Sequence, residues 1–185
     1  MNIGIISIRY ARALYSLAFD QGMEDIVYNE MKCMLQQFLT FPELKHHITS
    51  PIVPSAKKKE ILQLCAGGDN ISLITKKFID FVVKRDKQEI IQFMCVAYKI
   101  VYRKEKNILS TKFISASEPD KALLDKICSK IEDAYSAKVE LETKVDKKLI
   151  GGFIIDVNNY RMDASVSGEL NRMKIAFLNK ENSIN

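Results

Sequence analysis

The chain has 185 residues, of which 47% are hydrophobic and 28% charged, with 7 glycines, 4 prolines and no tryptophan. This composition excludes wholesale disorder and fibrous or low-complexity classes, and the length suits one ordinary domain or two small ones. Nowhere do roughly 18 apolar residues follow one another, and the start of the chain lacks the pattern of a secretory signal. We therefore expect a soluble intracellular protein without direct membrane insertion.

The net charge of +5 lies entirely in the first part of the chain. Residues 1–106 contain 16 Lys and Arg against 11 Asp and Glu, whereas residues 107–185 contain 12 of each class. This difference is a first indication of two units. The excess is mild for a nucleic-acid-binding domain, and the basic runs are not interleaved with aromatic residues, as binding to single strands requires. We expect no nucleic-acid partner.

The first 106 residues show the apolar periodicity of helices, interrupted by glycine and proline. We predict a first helix that is capped by Ser7 and runs to about Gln21, with Gly22 as its C-terminal stop. Five further helices are predicted over residues 23–40, 42–48, 54–66, 70–84 and 88–105. Because the connections are short, the six helices are expected to form an antiparallel bundle.

After residue 106 the apolar period changes from that of helices to that of strands. We predict a strand over 108–115, a helix over 118–136 opened by Ser117 and Pro119, and a strand over 139–145. A hairpin of strands 149–157 and 160–162 turns at Asn158 and Asn159, and a helix over 165–179 precedes a frayed tail. The predicted fold is therefore mainly α, with a six-helix bundle over 1–106 and a small α/β domain over 107–185.

The sequence offers no constellation of residues that is typical of an enzyme or a metal protein. The four cysteines are far apart, at positions 33, 65, 95 and 128, whereas zinc sites use short spacings. The adjacent His46 and His47 would face different ways on a helix. The Gly151-Gly152 pair lacks the flanking residues of a phosphate-binding loop and predicts a tight bend or bulge. We predict no catalytic residue, no metal site and no cofactor.

Two helices of the predicted bundle carry more apolar surface than one core-facing stripe requires. Residues 10–19 read YARALYSLAF, and residues 71–83 contain polar side chains at only five positions. One interpretation is that each helix is central and surrounded on all sides. The other is a groove that accepts an amphipathic helix from a partner. The apolar excess alone does not distinguish these interpretations.

The sequence resembles the F-type ATP synthase delta subunit family, whose mitochondrial members are the oligomycin-sensitivity-conferring proteins. The resemblance covers nearly the whole chain and is strongest in the segment LIGGFIIDV at 149–157. Ser50 stands where the family usually has asparagine. The matching segments are RYARALYSLA at 9–18, Ser50-Pro51, Lys84-Arg85, the strand at 108–116 leading into Glu118-Pro119, and Asp163, Ser165, Val166 and Leu170 after the hairpin.

This resemblance implies a non-catalytic subunit of the peripheral stalk, or stator, at the cytoplasmic face of the inner (cell) membrane. The bundle would bind the N-terminal helix of an alpha subunit on the catalytic head, and the second domain would bind the b subunits. The subunit would thereby resist rotor torque during proton-driven ATP synthesis. The alternative from another class is a free-standing helical adaptor or nucleic-acid-binding bundle.

The resemblance also implies particular residues at the alpha-binding groove between the first and fifth helices. Tyr10 and Ala13 match the contact positions of the first helix, with Leu14 and Leu17 nearby. On the fifth helix Ile79 matches the apolar contact position, and Val82 and Val83 follow it on the groove side. In the second domain no contact residues follow from the resemblance. There Gly151 and Gly152 are interpreted as fold determinants, and Asp163 or Ser165 as a helix cap.

Overall fold

The structure is a computed structural model that describes residues 3–158 and 160–182. The predicted turn residue Asn159 and the end of the predicted tail lie outside the described residues. The chain divides into two compact units, Met1–Lys106 and Asn107–Asn185.

The first unit is a bundle of six α-helices joined by short connections. Its core is formed by apolar side chains with almost no exposure, among them Met31, Ile79, Met94 and Tyr98. Short 3₁₀ turns at Gly68–Asn70 and Gln88–Ile90 precede the last two helices. The helices are α1 (Ile3–Asp20), α2 (Glu24–Thr40), α3 (Glu43–Thr49), α4 (Ser55–Ala66), α5 (Leu73–Lys84) and α6 (Ile91–Glu105).

The first helix begins earlier than predicted, and Ser7 is not its cap. Helix α1 already includes Ile3, so Ser7 lies in its interior with only 2% of its surface exposed. The Ser7 hydroxyl has no hydrogen-bond partner among the described residues. The apolar residues that precede Ser7 are themselves helical, so the helix begins before the residue that was predicted to cap it.

A buried carboxylate and a serine together define the start of α5. Ser72 is the N-cap, and its hydroxyl accepts a hydrogen bond from the backbone N–H of Thr75. The carboxylate of Glu30 on α2 accepts hydrogen bonds from the Ser72 N–H, the Ser72 hydroxyl and the Thr75 hydroxyl. Negative charge is favourable at a helix N-terminus, so this contact fixes α5 against α2. The helix therefore begins at Leu73, later than the predicted residue 70.

The second unit is a four-stranded sheet with two helices. The strand Ile108–Ser115 is central in the sheet. It pairs in parallel with Lys138–Val145 and antiparallel with Gly152–Val157, and the latter strand forms a hairpin with Tyr160–Ser165. Among the described residues of this unit, Phe113 and Ile155 are the buried apolar side chains, and the Phe113 ring stacks on Phe153 with centroids 5.4 Å apart. The elements are β1 (Ile108–Ser115), α7 (Lys121–Tyr135), β2 (Lys138–Val145), β3 (Gly152–Val157), β4 (Tyr160–Ser165) and α8 (Val166–Asn182).

Three predicted boundaries of the second unit need correction. Asp120, rather than Ser117 or Pro119, caps α7 by accepting a hydrogen bond from the Ala122 N–H. Strand β3 begins at Gly152 instead of residue 149, because Gly152 takes a left-handed φ of 77° at the bend. Strand β4 extends to Ser165 because Gly152 and Ser165 are opposite each other in the register.

The predicted fold class is confirmed: a helical bundle precedes a small α/β unit. Among the described residues, no helix is both long enough and apolar enough to cross a membrane.

Candidate functional site

An open groove lies between α1 and α5 on the surface of the bundle. Its volume is about 560 Å³. Leu14 and Phe78 form its floor, since each has less than a tenth of its surface exposed. Leu17 and Phe81 rise beside them with 44% and 47% exposure, and Ala13 adds a small side chain that lets a second backbone approach closely. The groove therefore presents apolar side chains to the surroundings.

Three side chains order one wall of the groove. The rings of Tyr10 on α1 and Phe81 on α5 lie with their centroids 5.8 Å apart in a tilted arrangement. The guanidinium carbon of Arg85 lies 5.5 Å from the centroid of the same Phe81 ring. A cation over an aromatic face and a pair of tilted rings are both favourable. Phe81 is therefore held in place while nearly half of it remains exposed.

The groove explains the apolar excess of the first and fifth helices. Of the residues that the resemblance implies for α1, Tyr10, Ala13, Leu14 and Leu17 all line the groove. Leu14 contributes to the groove and to the bundle core, because it lines the groove floor and is 97% buried.

The residues implied for α5 require a correction. Ile79 and Val82 have no exposed surface and Val83 has 7%, and none of the three lines the groove. Helix α5 has two adjacent apolar stripes, and these three residues belong to the one that faces the bundle core. The aliphatic stripe packs inward, and the stripe with Phe78 and Phe81 faces the groove. Ile79→Asp would therefore place a charge in the bundle core and destabilise the fold.

Sequence reasoning missed five residues of the groove. Three of them are basic, and two are aromatic residues that the periodicity had assigned only to the helix as a whole. The spacing of 78, 81 and 85 by three and four residues marks one helix face and was the available signal. The missed residues are Arg9, Lys77, Phe78, Phe81 and Arg85.

A second depression, of about 500 Å³, lies between α1 and α6. Its lining includes the charged residues Arg12, Lys104 and Glu105 beside apolar side chains such as Ile100. Cations and a carboxylate are mixed here, so the lining indicates no single kind of partner. Within the described ranges, no three His, Cys, Asp or Glu side chains are grouped so that they could hold a metal ion.

In the second unit, Gly151 and Gly152 lie where β3 meets the start of α8. A Cβ at Gly152 would lie 2.3 Å from the backbone oxygen of Ala164, and one at Gly151 would lie 3.3 Å from Val166. No side chain fits at Gly152 without a backbone shift. The two glycines thus belong to the packing of the hairpin against the helix start.

Asp163 and Ser165 lie at the end of β4, directly before α8 begins at Val166. Asp163 Oδ1 accepts hydrogen bonds from the N–H and the hydroxyl of Ser165, at 2.9 and 2.6 Å, and these bonds lower the pKa of Asp163. The Ser165 hydroxyl in turn accepts a hydrogen bond from the Gly168 N–H, as an N-cap does. Ser165 therefore caps the helix and Asp163 orients Ser165.

Helix α8 presents apolar side chains to the surroundings over its described part. Val166, Leu170 and Met173 are each about half exposed, at 45%, 56% and 52%. Helix α7 has no buried residue at all. The apolar surface of the two helices is therefore only partly covered within the described residues of this unit.

An open apolar groove between two helices is typical of modules that bind an amphipathic helix of another protein. A family model described as the ATP synthase delta (OSCP) subunit matches residues 6–177 of the chain. Proteins named ATP synthase subunit delta are 35% identical in Phocaeicola vulgatus, over 100% of both chains, and 36% identical in Bacteroides fragilis, also over 100% of both. The chain belongs to the ATP synthase delta (OSCP) subunit family.

The fold also agrees with that of a solved structure. A chain of the Toxoplasma gondii mitochondrial ATP synthase hexamer, determined by cryo-EM, superposes with a TM-score of 0.71 at 19% identity. The match covers 93% of this chain and 97% of that chain. At this identity the comparison establishes the fold alone.

Proposed function

We propose that the protein is a non-catalytic peripheral-stalk subunit of an F-type ATP synthase. The first unit binds the N-terminal helix of an alpha subunit on the catalytic head, and the second unit binds the b subunits. The subunit thereby holds the head against rotor torque while proton flow drives ATP synthesis. As a peripheral subunit it would lie at the cytoplasmic face of the membrane. The family of the chain supports this role.

The observation that carries the proposal is the groove between α1 and α5. Its floor of Leu14 and Phe78 and its ordered wall of Tyr10 and Phe81 suit the apolar face of a helix. Residues 9–17 and 77–85 each extend about 12 Å along a helix axis, which matches roughly two turns of a bound helix. Such a helix would insert apolar residues at spacings of three and four.

The second contact is proposed for the half-exposed apolar face of α8. Leu170 and Met173 are three residues apart and so lie on the same side of the helix. A stalk helix that covers them would remove apolar surface from water, which stabilises the complex by about 25 cal/mol per Å² buried. This contact would also stabilise a unit whose own core is small.

Co-purification with a tagged chain in its native host tests both contacts at once. Phe81→Asp is expected to lose the head subunits and retain the stalk subunits, because it places a charge on the groove wall. Met173→Asp is expected to do the reverse. Matched controls place aspartate at exposed positions outside the two surfaces, Leu73→Asp on α5 and Asn171→Asp on α8.

The pattern of losses decides the outcome. Wild type that purifies without ATP synthase subunits contradicts the proposed function and favours a free-standing adaptor. Loss of both sets of subunits in either variant would contradict the division of labour between the two units, provided that the variant has the circular dichroism spectrum of the wild type.

A further inference from the structure

The charges around the α1–α5 groove are all of one sign. Arg9 lies on the α1 side, and Lys77 and Arg85 lie on the α5 side. No carboxylate is among the described residues that line the groove. Cationic side chains therefore lie on both sides of the apolar groove floor.

These three cations are not neutralised by neighbouring carboxylates. In the described ranges 3–158 and 160–182, none of them takes part in an ion pair. Asp80 is a carboxylate of α5 near this surface, but it pairs with Lys59 on α4 at 2.8 Å. Arg85 is oriented over the Phe81 ring instead of being bound to an acid. The charged side chains described in the lining of the groove are therefore all cationic.

We infer that Arg9, Lys77 and Arg85 select the occupant of the groove, and that this occupant is an amphipathic helix with carboxylates along both edges of its apolar stripe. The inference rests on the proposed function, which supplies a helix as the occupant. Complementary charge at the rim of an interface favours the correct partner, speeds association and repels partners of like charge. The apolar floor of Leu14 and Phe78 supplies affinity. The cationic rim, which is formed by Arg9, Lys77 and Arg85, supplies selectivity.

Fluorescence titrations of the full-length chain with designed peptides test the inference. Three peptides of about 20 residues share one stripe of leucine and alanine and differ only at the flanking positions, which are Glu, Gln or Lys. A fourth peptide is the alpha-subunit N-terminus of the same organism. Each titration is carried out at 50 mM and at 500 mM salt, since exposed charges are screened at high salt.

The protein variants reverse the rim without changing the floor. The double variant Arg9→Glu, Lys77→Glu reverses one charge on each wall. Its matched control is Lys57→Glu, at an exposed lysine of α4 that lines none of the grooves described above. Circular dichroism of each variant establishes that the bundle is folded.

At 50 mM salt, the Glu peptide is expected to bind wild type on the order of tenfold more tightly than the Lys peptide. The double variant should invert this preference, the Lys57→Glu control should keep it, and 500 mM salt should remove most of it. An equal affinity for all three designed peptides, or a preference that survives rim reversal, would overturn the inference.

The fourth peptide separates this inference from the proposed function. If the alpha peptide binds with an affinity that neither salt nor rim reversal changes, the selectivity by charge is wrong and the proposed function stands. If the alpha peptide fails to bind while the Glu peptide binds at the groove, the proposed head contact is wrong and the charge preference is retained.

Discussion

At the scale of single residues, Glu30 is a buried charged side chain that contacts the start of α5. It is 92% buried, and its carboxylate accepts hydrogen bonds from Ser72 and Thr75 at the start of α5. A carboxylate at a helix N-terminus is stabilised by the backbone dipoles and by the free N–H groups. Glu30 therefore fixes the N-terminus of α5, the helix that forms one wall of the groove.

Glu30→Gln should lower the free energy of unfolding by about 1–3 kcal/mol, because one acceptor becomes a donor that faces other donors. Urea unfolding measures the change. Glu60→Gln, at an exposed position of α4, is the matched control and should change stability by less than about 0.5 kcal/mol. Equal effects of the two substitutions would show that the Glu30 contact adds nothing to stability.

Gly152 is a second residue whose identity is imposed by geometry. It combines a φ of 77° with a position where a Cβ would meet the Ala164 oxygen at 2.3 Å. Gly22 has a similar φ of 63°, but a Cβ there would meet nothing within 4 Å. Comparing alanine substitutions at Gly22 and Gly152 therefore distinguishes the cost of a left-handed backbone from the cost of steric overlap.

Gly22→Ala should cost about 1 kcal/mol, the typical effect of left-handed backbone on alanine. Gly152→Ala should cost at least about 2 kcal/mol more and should accelerate amide exchange in β3 and β4. Chemical unfolding combined with exchange measures both. Similar costs for the two alanines would indicate that β4 moves away freely from residue 152.

At the scale of elements, a cluster of polar side chains joins the end of α6 to the start of α2. Lys106 Nζ lies 2.7 Å from Glu24 Oε1 and 3.3 Å from Asp25 Oδ1, and the Tyr102 hydroxyl donates to Asp25 at 2.8 Å. The hydrogen bond with Glu24 raises the pKa of Lys106, and the same bond lowers the pKa of Glu24. The last residue of the first unit is thus tied to the bundle.

This cluster predicts a pH dependence with a defined sign. Because folding lowers the pKa of Glu24, the stabilisation is complete above the unfolded value near 4.5 and is lost as pH falls through the folded value. Lys106→Met should therefore be less stable than wild type at pH 7, and the gap should shrink toward pH 3. Urea unfolding across this range measures the gap, with Lys104→Met as control. A gap independent of pH would contradict a role for ionised Glu24.

Elements with one strong pattern were predicted well from sequence, and elements with two competing patterns were not. The six helices and the central strand follow from apolar periodicity interrupted by glycine and proline. For helix α5, periodicity did not identify the face that lines the groove, because the inward stripe with Ile79 and the groove stripe with Phe81 are both apolar. Only packing against α1 and the rest of the bundle decides which stripe is covered.

Helix starts show a similar limit of sequence reasoning. Ser7 and Ser117 are good capping residues, yet α1 begins at Ile3 and α7 is capped by Asp120. Capping preference is worth about 1 kcal/mol, so an adjacent run of helix-forming residues can override it. The three cations of the groove were missed for another reason: sequence shows which residues are basic, and it does not show which of them meet across two helices.

At the scale of the whole molecule, the two units differ in how much core each has. The first unit buries more than twenty apolar side chains, whereas Phe113 and Ile155 are the buried apolar side chains among the described residues of the second. A small core leaves little free energy to offset the entropy of folding. The second unit should therefore be the less stable of the two when the chain is alone.

Amide exchange of the isolated chain should thus be slowest in α2 and α6 and at least tenfold faster in β1 and β3. Mass spectrometry of peptic fragments measures this difference. Adding the stalk subunits should slow exchange in the second unit while leaving α2 and α6 nearly unchanged. Equal protection in the two units would contradict the proposed dependence of the second unit on a partner.

The groove between α1 and α5 is proposed to hold a helix of the alpha subunit. Calorimetric titration of the full-length chain with the alpha N-terminal peptide tests it most directly. Phe81→Asp should weaken binding at least tenfold with the bundle intact, whereas Leu73→Asp should bind as wild type does. Unchanged affinity of folded Phe81→Asp, or no binding by wild type, would contradict binding of the alpha helix in this groove.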